Sequence, residues 1–257
     1  MKKNIFIIVV IIFVISGFVI ILYRGVRPAT PKGLVAFVID DWGYNRRNID
    51  LLLQIDRPLT LSILPDLRYS SYVAEAAGKG GELYDIILHL PLESKSNIAA
   101  ERNTIRTNME EAKILSLLED NIRTVPGLIG VSGHQGSKAT EEEKVMRVIL
   151  SALKKRGLFF LDSATTADSV CPDVARDIKL RFAQRDVFLD LTDQTDLENF
   201  EAYIRGQIQE LASIAMKQGS AIGVGHNKRT TLKVIMDIIP ELEEQGIKIV
   251  PLKELVR

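Results

Sequence analysis

The chain has 257 residues, of which 46% are hydrophobic and 26% charged, and this ordinary globular composition excludes global disorder. Its 33 basic and 33 acidic residues give no net charge, but residues 1–32 hold five basic and no acidic residues, so the remainder is mildly acidic. An acidic body argues against non-specific nucleic-acid binding. The single cysteine, Cys171, excludes an intramolecular disulfide and a thiolate zinc cluster.

The N-terminal segment is apolar from Ile5 to Leu22 and is preceded by two lysines. With its flanking residues this run spans roughly 30 Å as a helix, which matches a bilayer core. Residues 1–23 are therefore predicted to be an uncleaved transmembrane anchor, followed by a Pro/Gly linker at 24–33. The alternative is a cleaved signal peptide, but the run is long for one and ends without a small-x-small cleavage site. The rest of the chain is expected outside the cytoplasm.

The body of the chain, residues 34–257, alternates short apolar runs with segments of helical spacing. The runs are rich in Ile, Val and Phe, which predicts buried strands. Eight strands are predicted, at 34–39, 59–64, 84–90, 128–132, 158–162, 187–191, 221–225 and 247–252. Helices are predicted at 70–79, 108–123, 140–156, 196–218 and 230–245.

This alternation predicts parallel βαβ units, because strands buried on both faces need helices on the sheet. About eight such units fit a distorted (β/α) barrel, and a doubly wound open sheet is the alternative. Thr140 opens a T-E-E-E sequence and is predicted to cap the third helix. The long segment 91–107 is a candidate active-site loop.

Polar residues stand at the predicted carboxyl ends of the strands. They are Asp40 and Asp41, the chain's three histidines His89, His134 and His226, and the carboxylates Asp162 and Asp190. Since the carboxyl ends of parallel strands meet at one rim of a barrel, these side chains are expected to converge there. One carboxylate and the imidazoles of His89 and His134 would form a metal site with open coordination positions, which is typical of catalytic zinc.

Further candidates for supporting or substrate-binding roles are Glu93, Ser137, Asp162, Arg185 and Asp190. Glu93, four residues after His89, is either an additional ligand or a surface residue of the loop. Arg185 and Asp162 are candidates for orienting the site, because an arginine near a carboxylate base keeps the base ionised. Asp162 and Asp190 also leave open a glycoside hydrolase that uses two carboxylates without a metal.

Seven short motifs occur in a characteristic order: FVIDDWGY, LTLSILP, ILHLPLE, IGVSGHQGS, LFFLDSATT, RDVFLDL and AIGVGH. Together they resemble the divergent polysaccharide deacetylases, which are relatives of the NodB-type carbohydrate esterases. The resemblance covers about residues 34–252 and implies a distorted (β/α) barrel that acts on extracytoplasmic carbohydrate.

The resemblance also implies roles for individual residues. In the classical deacetylases the first aspartate of the pair is the base and the second binds the metal, which assigns Asp40 as base and Asp41 as ligand. A histidine at a late strand end is the acid there, and His226 matches it by position.

The ligand set departs from the classical H-x-x-x-H pair. His89 stands at the first histidine position and Glu93 at the second. His134 lies in the divergent family's H-x-G-S motif, which ends at Ser137, and is the expected substitute ligand.

The resulting expectation is a membrane-anchored hydrolase that deacetylates a peptidoglycan-type or other envelope glycan with a divalent metal, and the ligand types favour zinc. The alternative is a degenerate barrel that binds such a glycan or a partner protein without turnover.

Overall fold

The computed structural model describes residues 30–96, 99–193 and 196–257. The predicted N-terminal anchor lies outside these residues. Within the described ranges, no helix combines the length and the apolar character needed to cross a bilayer.

The described chain contains nine strands and seven α-helices. The strands are β1 (Gly33–Trp42), β2 (Leu59–Ile63), β3 (Tyr84–Leu92), β4 (Gly130–Gln135), β5 (Phe159–Asp162), β6 (Phe182–Gln184), β7 (Val187–Phe188), β8 (Ser220–His226) and β9 (Ile247–Ile249). The helices are α1 (Ile49–Leu52), α2 (Ser70–Gly78), α3 (Glu111–Arg123), α4 (Glu143–Lys155), α5 (Cys171–Ile178), α6 (Leu197–Gln218) and α7 (Arg229–Glu244).

The strands form one parallel sheet in the order β6-β5-β4-β3-β2-β1-β8-β7. Its end strands, β6 and β7, are consecutive in the sequence and separated only by Arg185 and Asp186. The Arg185 N–H donates to the carbonyl of Asp162 on one side, and the Asp186 N–H donates to that of Ile222 on the other. The chain itself therefore bridges the gap between the sheet ends and curls the sheet into a distorted barrel.

Strand β1 is an internal strand that pairs with three others. It pairs with β8 from Leu34 to Asp40 along one edge. Along its other edge it pairs first with β9, over Gly33–Val35, and then with β2 from Val38 onward. This position places the carboxyl end of β1 in the middle of the barrel mouth.

Two hydrophobic cores lie on the two faces of the sheet. The outer core joins Val35, Phe37 and Ile39 of β1 to the apolar sides of the helices. The inner core, enclosed by the sheet, contains Ala36 and Val38 of β1 with residues of β3, β5, β6, β8 and the C-terminal segment. Because side chains alternate along a strand, the next inward positions beyond these apolar residues fall at the barrel mouth.

All eight predicted strands occur in the structure. Several of them begin or end at other residues than predicted, and three elements of the structure were not predicted. The sequence analysis missed β6, α1 and α5, which are only three, four and eight residues long, too short for a periodic pattern. The prediction that Thr140 caps a helix is wrong: α4 begins at Glu143, and the Thr140 hydroxyl donates to the carbonyl of Gly136.

Candidate active site

The mouth of the barrel holds a cavity of about 560 Å³. It is bordered by the predicted catalytic and metal-binding residues and by hydroxyl, amide and apolar side chains of the surrounding loops. The lining residues are Asp40, Asp41, His89, Ser94, Ser96, Gly133, His134, Gln135, Ser137, Ser163, Ala164, Thr165, Phe188, Leu191 and His226. All three histidines and both adjacent aspartates predicted from the sequence therefore meet in one cavity.

The histidines lie slightly differently from the prediction. His89 and His134 are within β3 and β4, not at or beyond their ends, because both strands extend further than their apolar runs. Only His226 is the last residue of its strand.

The backbone of Asp41 explains how two successive carboxylates reach the same cavity. In a regular strand Asp40 and Asp41 would face opposite sides of the sheet. Asp41 instead has a φ of 64°, in the left-handed region, and the pairing of β1 with β2 shifts register between Ile39 and Trp42. This bulge turns the Asp41 side chain toward the barrel mouth beside Asp40. Such strain in a non-glycine residue is concentrated at functional sites.

Asp41, His89 and His134 form a candidate metal centre. The Asp41 Oδ1 atom lies 3.4 Å from His89 Nε2 and 3.2 Å from His134 Nδ1. One potential ligand atom from each residue lies within 4.8 Å of the others. Asp41 Oδ1 is buried and has no partner with hydrogen-bond geometry among the described residues, which leaves its lone pairs for an ion. These residues fit a divalent cation, and their mixed N and O donors suit zinc.

The electrostatics favour an ionised Asp41. Burial alone would raise the pKa of its carboxyl, but the contacts with His134 and His89 outweigh burial and hold the pKa well below its ordinary value. Ionisation is the state that a metal-binding carboxylate requires.

Asp40 has a different environment. Its side chain is almost fully buried, and Oδ1 has no hydrogen-bond partner in the described part of the chain. Its Oδ2 lies 3.6 Å from His89 Nε2. Burial raises the pKa of Asp40, although the nearby His89 and His226 oppose this effect. A buried carboxylate with a free oxygen and a raised pKa is suited to accept a proton.

His226 is held by Asp190, which lies just beyond β7. Asp190 Oδ1 lies 2.6 Å from His226 Nδ1, and Asp190 Oδ2 accepts the His226 backbone N–H at 2.9 Å. Thr231 donates its hydroxyl to Asp190 at 2.6 Å. Because Nδ1 contacts Asp190, Nε2 is the ring nitrogen that can exchange a proton with a molecule in the cavity. Burial lowers the pKa of His226, but the bond to Asp190 and the charges of Asp190, Asp40 and Asp41 outweigh it and raise the pKa to about 9.

Arg185 does not line the cavity. Its guanidinium donates to the carbonyls of Ser163 and Ala164 and lies 3.7 Å from the centre of the Phe188 ring. Phe188 in turn stacks on His226 with 6.2 Å between ring centroids. Arg185 therefore supports the wall of the site through Phe188 and the β5 exit.

Glu93 is not part of the metal centre. One of its oxygens accepts the N–H and the hydroxyl of Thr107 at 2.7 Å, and the other binds Lys138 Nζ at 2.9 Å. Burial opposes these bonds, but together they lower the pKa of Glu93 to about 2. Glu93 thus fastens the loop after β3 to the loop after β4.

Ser137 does line the cavity, where its hydroxyl contacts Ser94 at 3.1 Å and accepts the Lys95 N–H at 3.0 Å.

The glycoside hydrolase alternative is not favoured by the geometry. Asp162 accepts from the Ala164 N–H, the Ser169 hydroxyl and the Gln184 amide. Asp190 is occupied by His226 and Thr231. Neither carboxylate lines the cavity, so neither presents a free oxygen to a sugar.

Several site residues were missed by the sequence analysis. Ser62 and Ser132 contact each other inside the barrel, and Phe188 lines the cavity. Serines are common in strands and loops, so only their position on the same strand face as Asp40 and His89 carries a signal.

The family model for divergent polysaccharide deacetylases matches residues 37–256. The chain is 31% identical over 210 residues to the uncharacterized protein YibQ of Escherichia coli K12, which corresponds to 82% of this chain and 63% of the E. coli protein. The chain thus aligns with less than two thirds of that relative's length.

Solved structures share the fold. An uncharacterized protein from Agrobacterium tumefaciens C58 has a TM-score of 0.80 at 24% identity, with 90% of this chain and 92% of that chain covered. The catalytic domain of a peptidoglycan N-acetylglucosamine deacetylase from Eubacterium rectale has a TM-score of 0.53 at 14% identity, with 88% and 90% covered. A CE4 family pseudoenzyme from Bacillus anthracis has a TM-score of 0.50 at 15% identity, with 90% and 70% covered. These similarities show the fold, the NodB-like curled barrel expected from the sequence motifs.

The His226–Asp190 pair predicts a specific pH dependence of stability in the metal-free protein. The folded-state pKa of His226, about 9, exceeds its ordinary value of 6.5. The folded state therefore binds more protons between these values, so the contribution of the pair is complete below pH 6.5 and is lost as the pH rises through 9. Denaturant unfolding should show that the difference in unfolding free energy between the wild type and Asp190→Asn shrinks over this range.

Asp237→Asn is the matched control, since Asp237 pairs with Lys233 on the surface. Its pH dependence should parallel that of the wild type. If the curve of Asp190→Asn also runs parallel to the wild type from pH 6 to 10, the raised pKa of His226 is wrong.

Proposed function

The chain belongs to the divergent polysaccharide deacetylase family, and we propose that it is a metal-dependent hydrolase that removes acetyl groups from an envelope glycan. The main support is the convergence of Asp41, His89 and His134 within 4.8 Å, with Asp40 and His226 in the same cavity. Three protein ligands leave positions for water and substrate, as in catalytic zinc sites.

The residues divide the chemistry of acetyl hydrolysis between them. A divalent cation at this centre would polarise the acetyl carbonyl and lower the pKa of a water molecule. Asp40 takes the proton from the attacking water in this proposal, because its buried Oδ1 has no hydrogen-bond partner among the described residues and its Oδ2 lies 3.6 Å from His89 Nε2. His226, charged at neutral pH and oriented by Asp190, gives a proton to the departing nitrogen or oxygen of the sugar.

The cavity lining supports a carbohydrate substrate. Five hydroxyl side chains border it, from Ser94, Ser96, Ser137, Ser163 and Thr165, and hydroxyls can donate and accept hydrogen bonds to sugar oxygens. Phe188 and Leu191 supply an apolar portion suited to an acetyl methyl group or a sugar face. A cavity of about 560 Å³ has the size of a typical small-ligand site.

A second candidate function is glycan binding without turnover. The observation that favours it is the missing second histidine of the classical pair, because Glu93 stands in its place and is committed to Thr107 and Lys138. A pseudoenzyme from Bacillus anthracis also shares the fold. Activity measurements distinguish the two functions.

The proposed location is the outer side of a cytoplasmic membrane, held by residues 1–23. The support is the apolar run at 5–22 with its basic start. An extracytoplasmic position would give the domain access to envelope glycan.

The metal centre predicts that the ligands are individually required for zinc binding. His89→Ala or His134→Ala removes one of three protein ligands, so zinc affinity should fall steeply. Metal analysis and zinc titration of residues 33–257 are the measurements. Glu93→Gln is the control and should keep the wild-type stoichiometry of about one zinc ion per chain. Wild-type affinity in both histidine variants would rule out this centre.

Asp40 and His226 are expected to act without binding the metal. Asp40→Asn and His226→Ala should retain zinc while acetate release from an acetylated oligosaccharide or a generic acetyl ester falls by about 10²–10⁴. The wild-type rate should have a bell-shaped pH profile, because a base and an acid are both needed. An unchanged rate in Asp40→Asn would refute the mechanism, and a zinc-loaded wild type that releases no acetate would favour glycan binding.

The anchor predicts that full-length protein sediments with membranes and that deletion of residues 1–32 releases it. Cell fractionation with and without the segment is the measurement, and N-terminal sequencing of the cellular protein is its complement. A mature chain that starts near residue 30 would replace the anchor with a cleaved signal peptide.

A further inference from the structure

Two buried serines connect the metal centre to the proposed base through the inside of the barrel. Ser62 on β2 and Ser132 on β4 are fully buried, and their hydroxyl oxygens lie 2.7 Å apart. Ser132 Oγ also lies 2.9 Å from His89 Nδ1. The ring nitrogen of His89 that faces away from the metal centre is therefore joined to Ser62 through Ser132.

The far end of this chain of hydroxyls reaches Asp40. β1 and β2 pair Ile39 with Leu61 and next Trp42 with Ile63, so the two bulge residues Asp40 and Asp41 lie opposite Ser62. Both side chains point to the inner face, as Ala36 and Val38 do on β1. The Ser62 hydroxyl and the Asp40 carboxyl are thus side-chain neighbours inside the barrel.

The direction of the hydrogen bonds follows from counting protons. If His89 binds a cation through Nε2, its ring proton must be on Nδ1, and that N–H donates to Ser132. Apart from His89, Ser62 is the only hydrogen-bond partner of the Ser132 hydroxyl in the described part of the chain, so Ser132 gives its single proton to Ser62, and Ser62 in turn donates to the carboxylate of Asp40. Metal binding through His89 Nε2 thus sets which group donates in each hydrogen bond from His89 to Asp40.

We propose that Ser132 and Ser62 are positioning residues that form a directed hydroxyl relay from the metal ligand His89 to the base Asp40. The relay rests on the proposed metal centre. It holds the His89 ring in the orientation and tautomer that ligation requires, and it provides Asp40 with a hydrogen bond from the side opposite the cavity. Because both serines are fully buried, each hydrogen bond of the relay lies in a low-dielectric surrounding, where it is stronger than in water.

A third buried hydroxyl gives a matched comparison. Thr60 lies two residues before Ser62 on the same face of β2 and is also fully buried, but its Oγ1 has no hydrogen-bond partner among the described residues. Removing it deletes a buried hydroxyl from the same strand without touching the relay.

The test measures zinc affinity by titration calorimetry for the wild type, Ser132→Ala, Ser62→Ala, the double variant and Thr60→Val. Loss of a hydrogen-bond partner of a ligating histidine typically weakens metal binding by about 10–100-fold, which is the decrease expected for Ser132→Ala. Ser62→Ala should weaken binding less. The double variant should be no weaker than Ser132→Ala, because Ser62 acts through Ser132. Thr60→Val should bind zinc as the wild type does.

A second measurement needs no substitution and so does not depend on the variants folding. In the zinc-loaded wild type, nitrogen NMR of labelled histidines should show His89 bound through Nε2 with a hydrogen-bonded proton on Nδ1. Ligation through Nδ1 would overturn the relay, as would unchanged zinc affinity in Ser132→Ala or additive losses in the double variant.

The relay and the proposed function fail in different ways. A wild type that binds zinc but releases no acetate refutes the hydrolase, while the affinities and the His89 tautomer still decide the relay. An active, zinc-binding wild type whose serine variants match Thr60→Val refutes the relay alone. A wild type without zinc affinity refutes both.

Discussion

Two adjacent carboxylates at the end of one central strand are the constraint on which the rest of the site depends. Asp40 is buried, and the Oδ1 of Asp41 is buried as well. Charged groups removed from water need opposite charges or donors, or their pKa values move until they are neutral. The three histidines of the chain all lie around this pair, and this arrangement compensates the two charges.

The charges of Asp40 and Asp41 are compensated to different degrees, and this difference gives the two carboxylates different roles. Asp41 contacts two imidazoles, which outweigh its burial and lower its pKa. In Asp40 burial has the larger effect and raises the pKa. The separation requires both side chains to face the cavity, which only the bulge at Asp41 permits. Gln135 and Ala164, at the exits of β4 and β5, also have positive φ angles and line the same cavity. Backbone strain at this end of the barrel is thus associated with the shape of the site.

Several side chains that line the cavity are held in place by residues behind the cavity wall. Asp190 orients His226, Ser132 contacts His89, and Arg185 braces Phe188 against the His226 ring. His226, His89 and Phe188 therefore each have a partner behind the cavity wall. A site built this way loses little entropy when it binds, because its side chains are already held.

The sequence by itself determined the alternation of strands and helices, the barrel and the convergence of its polar residues. The reason is that buried parallel strands have a strong apolar signal and that their carboxyl ends must share a rim. Only the tertiary structure decided which neighbour each polar group has. Glu93 follows His89 by four residues, yet it binds Thr107 and Lys138, because β3 continues beyond the histidine and carries Glu93 out of the cavity. Ser62 and Ser132 are 70 residues apart, in two separate motifs, and neither motif indicates that the two hydroxyls meet. Their contact arises because the curvature of the sheet brings inward positions of β2 and β4 together, and curvature is a property of the closed sheet that no local pattern encodes.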